Sequence, residues 1–222
     1  MGFWRIANGN GLLIGMIVGA GMFALPYAVV RGGVFWSLLH FVLTISLVTA
    51  VHIFYGHILY RDRERFRLPG YVRKYLGENF YRVALFTRLF SYYGILLAYG
   101  VLGGIFLSYL FPNLVLKYLT IFFFLAFFPI TYLKLRTAGK INLFFTLLLI
   151  AFALLLFFAL YPRAHFESLP FFVRDAGWFV PYGVFLFAFS AASVIQEVVD
   201  VLGPNRKHIF EKSIFASTFF VA

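Results

Sequence analysis

The chain has 222 residues, 63% of them hydrophobic and 12% charged, with a net charge of +11 and no cysteine. That much apolar surface excludes a soluble domain of this length, and apolar runs of about 20 residues recur throughout, as in multi-pass membrane proteins. The missing cysteines exclude disulfides, thiol catalysis and cysteine metal sites.

The pattern predicts six spans and the start of a seventh. The first, Gly11–Val30, reads GLLIGMIVGAGMFALPYAVV. It is too long for the apolar region of a signal peptide and should stay in the mature protein. Gly11, Gly15 and Gly19 are spaced by four, which suits a small-residue packing seam. Gly21 lies off that seam, and the cluster Gly19-Ala20-Gly21 precedes Pro26. An unwound turn accounts for both, and its amide N–H groups would hold a carboxylate. Backbone freed at membrane depth is tolerated only where it lines a protein cavity.

Gly32-Gly33 separates this span from the second, Val34–Tyr60, whose His52 and His57 read as interfacial. The basic stretch Arg61 to Arg82 follows. Within it Tyr71, Lys74, Tyr75 and Glu78 have helical spacing, expected as a short interfacial helix with both tyrosines at the headgroups. The third span is Val83–Phe111. Its Tyr92 and Tyr93 either face a site or pack as ordinary aromatics. Pro112-Asn113 leads to the fourth span, Leu114–Leu133, and Thr137-Ala138-Gly139 to the fifth, Ile141–Tyr161. The loop Pro162 to Gly177 follows, and its PFFV stretch suits the membrane interface.

The sixth span, Trp178–Leu202, holds a second cluster of small residues: Ala188, Ser190, Ala191, Ala192 and Ser193. Serines bonded back to carbonyls account for it within an unbroken helix. Its pairing with the first span favours a second break, with Phe185, Phe187 and Phe189 as walls of a side-chain pocket. Glu197 and Asp200 are carboxylates within the span, which are costly; a solvated helix end suits Asp200, and Glu197 is the better candidate gate or proton group. The seventh run begins near Ser213.

Placing the N-terminus in the cytoplasm puts fourteen basic residues on inside segments and four outside, with Arg88 within a span. This positive-inside bias sets the orientation and assigns the basic excess to topology and lipid headgroups, not nucleic acid.

GMIVGAGMFALPYAVVRGG resembles the first helix of the amino acid/auxin permease family, within the amino acid–polyamine–organocation superfamily. YGVFLFAFSAASVIQEV resembles that family's sixth helix, with Gln196 where the family pattern has proline. The bacterial aromatic amino acid permeases share these elements. The resemblance implies an all-α membrane fold, the five-plus-five inverted repeat of the bacterial leucine transporter. Residues 1–162 would form the first repeat and 178–222 the start of the second, within one transporter domain. The resemblance further implies that Ile17, Val18, Gly19, Ala20 and Gly21 meet the substrate's amino and carboxylate groups. Phe187, Ala188, Phe189 and Ser190 would complete the site, with Tyr93 beside it.

The expected function is secondary transport of amino acids by alternating access, coupled to H+ or Na+, with no organic cofactor and no metal. A non-transporting amino acid sensor is the alternative. An enzyme is not expected, because no nucleophile–base pair or metal cluster lies at mid-depth. The expected location is a bacterial or archaeal cell membrane. The expected chain is an incomplete transporter, helices 1–6 and the start of 7, with Ser190, Ser193 and Gln196 exposed to lipid.

Overall fold

The computed structural model describes residues 2–62, 64–132, 135–163 and 169–221, and among these it is helical with no strand. Lys134 and residues 164–168 of the Pro162–Gly177 loop lie outside the described residues. Three helical runs, Arg5–Gly32, Val34–Arg61 and Glu78–Leu110, are long and apolar enough to cross a membrane. Shorter apolar helical runs cover Leu116–Tyr132, Phe144–Leu160 and Ala176–Phe189.

The chain forms two compact units: Met1–Arg63 with Gly139–Ala222, and Glu64–Ala138. The first unit starts with α1 (Gly2–Ile17), a 3-10 turn (Ala20–Ala24) and α2 (Leu25–Gly32). Pro26 sits in the first turn of α2, where a missing N–H costs nothing. Gly33 ends α2 with φ 79, a left-handed value that a side chain would strain. The helix α3 (Val34–Arg61) follows at once. Its start is tied to the PFFV stretch: Val34 N–H donates to Pro170 O and Phe35 N–H to Phe171 O, both at 3.0 Å. Trp36 Nε1 donates to Val173 O at 3.0 Å. The PFFV stretch is therefore held by hydrogen bonds as well as by its apolar character. Its Phe172 ring lies 5.4 Å from Trp36, which in turn lies 5.1 Å from Trp178.

The helix α7 (Leu135–Leu160) carries Thr137-Ala138-Gly139 in its opening turns, so this triplet is not the predicted separator. Helical backbone absorbs a single glycine at modest cost. After a 3-10 turn at Ala176–Phe179 come α8 (Val180–Phe189), α9 (Ile195–Leu202) and α10 (Lys207–Val221). The last helix starts six residues before the predicted Ser213, because its first turns are polar and escape a hydropathy reading. Those polar residues do bond. His57 Nε2 on α3 lies 2.6 Å from Glu211 Oε1, and His208 and Lys207 lie 3.8 and 4.0 Å from the same carboxylate. Deeper in, the fully buried Phe210 ring occupies the space that a Cβ on Gly56 would take. Helices α1, α3, α8, α9 and α10 pack around this core.

The second unit holds α4 (Leu68–Leu76), α5 (Glu78–Leu110), α6 (Leu116–Phe127) and a 3-10 turn at Phe128–Tyr132. Gly100, Gly103 and Gly104 on α5 let Phe124, Phe123 and Thr120 of α6 approach its backbone, a small-residue seam between membrane helices. Pro112-Asn113 forms the turn between them, as its sequence predicts. The short helix α4 exists, but its Tyr71 does not face outward as Tyr75 does. It is buried and its hydroxyl donates to Glu64 O at 2.9 Å, while Tyr75 is exposed. One tyrosine staples the loop and the other faces outward, while Glu78 of the predicted helix lies beyond Gly77 at the start of α5.

Candidate functional site

Two interruptions of helix lie in the first unit. In the first, Val18 N–H closes the last α-type bond, to Ile14 O at 2.8 Å. Gly19 then turns extended, with φ −79 and ψ −156, and Met22 N–H bonds three residues back to Gly19 O at 3.2 Å. In the second, α8 stops at Phe189 and Ser190 is extended at φ −72 and ψ 111. Val194 N–H bonds three residues back to Ala191 O at 3.1 Å before α9 begins. Glycine and serine favour helix only weakly, and the small side chains of both stretches let neighbouring backbone come close.

The two stretches meet. A Cβ built on Gly21 would lie 2.5 Å from Ala188 Cα and 2.8 Å from its Cβ, so the two backbones are in contact. Ile17, Val18, Ala188 and Phe189 are buried around this contact. Gly19 is half-buried, and the side chain of Ala20 is not among those described. Ser190 is exposed, and Phe187 is 46% exposed on another face of α8. Phe185 and Phe189 point into the core, each edge-on to Phe41 of α3 at 5.6 and 5.7 Å. Tyr93 belongs to α5 of the second unit, where it is 67% exposed. Glu197 is half-buried in the first turn of α9, where a carboxylate favours the helix dipole. Gln196 is buried, not exposed as expected, because the polar residues of this span do not share one face.

One residue of the site was read differently from sequence. His52 is 2% exposed and lies within the core, not at the interface. Its Nε2 accepts the Ala191 N–H at 3.1 Å, across 139 residues of sequence. It belongs to a buried stripe on α3: Ser37, His40, Thr44, Val48, His52, Gly56 and Leu59. That run at intervals of three and four was visible in the sequence, and polar members of such a stripe in a membrane helix face protein.

The tryptophan/tyrosine permease family model matches residues 5–221. The chain belongs to that family. No curated protein and no solved structure matches it. The family shown is the aromatic member of the resemblance, not the amino acid/auxin permeases. As a permease this is an integral membrane protein of amino acid transport and not an enzyme.

Proposed function

We propose that this permease carries tryptophan, tyrosine or a related aromatic amino acid by alternating access, with the amino acid held where helices one and six are interrupted. The observation that carries the reading is the direct backbone contact between Gly21 and Ala188, which joins the two interruptions into one locus. Ile17 to Gly21 would offer polar backbone to the zwitterion, and Ala188, Phe189 and Ser190 would complete the site. Phe187 is proposed as a contact that the substrate side chain meets. Glu197 would serve gating or coupling, driven by H+ or Na+. Residues 1–162 and 178–222 would belong to successive repeats of a five-plus-five inverted fold.

Uptake of labelled tryptophan and tyrosine by vesicles carrying the intact protein tests this. Saturable uptake that unlabelled aromatic amino acids compete away is expected. Binding without flux would instead make the protein a sensor.

The proposed orientation has a cytoplasmic N-terminus and a cytoplasmic Arg61–Arg82 segment, supported by the fourteen-to-four basic bias. A cysteine at Glu64 in this cysteine-free chain should react with an impermeant maleimide only after the cells are opened. Labelling in intact cells would reverse the topology.

A further inference from the structure

We infer that His52 is a positioning residue that holds the second helix interruption in its open form by accepting the Ala191 amide. In an unbroken helix that amide would bond to Phe187 O, four residues back. The extended Ser190 takes it out of register, and His52 Nε2 receives it at 3.1 Å. Ala191 is fully buried, so water does not compete for the donor from an open surface. Acceptance at Nε2 fixes the neutral tautomer with the proton on Nδ1. That Nδ1 is buried with no hydrogen-bond partner among the described residues. A purely packing role would be served better by an apolar side chain, because burying the imidazole leaves one of its two polar atoms unsatisfied. The acceptor also comes from α3 and not from the interrupted helix itself. Any sliding of α3 against α8 and α9 therefore acts directly on the interruption, which links movement of the bundle to the shape of the locus.

The consequence for transport rests on the proposed placement of the substrate; the structural role of His52 does not. Three variants of the intact permease separate the two. Glutamine places an amide oxygen close to the position of Nε2, asparagine stops one bond short, and leucine offers no acceptor. Hydrogen–deuterium exchange of the peptide containing Ala191 is expected to stay slow in the wild type and His52→Gln. It should accelerate about tenfold or more in His52→Asn and His52→Leu. The KM for tryptophan or tyrosine uptake should rise about tenfold in the latter two at equal membrane abundance, and stay within about threefold in His52→Gln. If His52→Leu does not reach the membrane, the contrast between the two amides decides. Asparagine behaving like glutamine, or glutamine failing as leucine does, overturns the role assigned to His52. Altered exchange with unaltered uptake upholds that role and removes the substrate from the interruption.

Discussion

Gly21→Val is expected to abolish amino acid binding and uptake, while Gly183→Val stays close to wild type. The first added Cβ would fall 2.5 Å from Ala188 Cα and 3.1 Å from Ala188 N. Carbon atoms are comfortable only at about 3.5–4.0 Å, so the two backbones must part by roughly an ångström. The neighbour is main chain and cannot rotate away. Overpacking of this kind costs about 1–3 kcal/mol. If the interruptions form the site, the same parting displaces the amides that hold the substrate, and affinity falls by about tenfold for every 1.4 kcal/mol. Gly21→Ala carries the same Cβ and should already be impaired, with the β-branched valine worse. Gly183 lies on α8, the helix of Ala188, yet nothing is within 4 Å of its Cβ position. The pair thus separates a contact at the locus from any general penalty of substituting glycine near the sixth span. Isothermal binding of tryptophan to the purified variants checks it. Wild-type affinity in Gly21→Val would remove the backbone contact from the site.

Much of this architecture was legible in the residues, and the exceptions share a cause. Hydropathy found the long spans, since exposed apolar positions such as Phe86 and Phe90 are read without any long-range contact. Gly33 and Pro112 were legible because their local conformational effects do not depend on distant chain. Gly21 could be singled out as a glycine off the seam, but not the partner that makes it necessary, because Ala188 is 167 positions away. His52 was misread for the same reason. A histidine near a span's end is usually wetted, and only the tertiary contact with Ala191 shows that this one is buried. Tyr71 was placed at the headgroups by its amphipathic setting, whereas its hydroxyl finds Glu64 O in the loop before it. The start of α10 at Lys207 was hidden by charge: Glu211 looks like loop until His57 of α3 is seen beside it. Composition reports what a residue tolerates; long-range packing decides what it meets.

The α3–α10 contact should behave as a ball and socket. Phe210 is fully buried, its ring edge-on to Tyr60 at 5.8 Å and seated over Gly56. Phe210→Ala should lower stability by about 3–5 kcal/mol, from lost burial plus the cavity left behind. Gly56→Leu alone should also destabilise, by about 1–3 kcal/mol, since its first carbon already overlaps the ring and α3 cannot bend aside without breaking its own hydrogen bonds. The double variant is the decisive measurement. The leucine then fills the space the ring has left, so its cost should be well below the sum of the two singles, as for residues in contact. The neighbouring His57–Glu211 pair, at 2.6 Å, would keep the two helices in register while the core is exchanged. Thermal-denaturation midpoints of the purified variants read the coupling. Strict additivity would mean that Phe210 and Gly56 do not touch, and that α10 is held to α3 by its polar first turns alone.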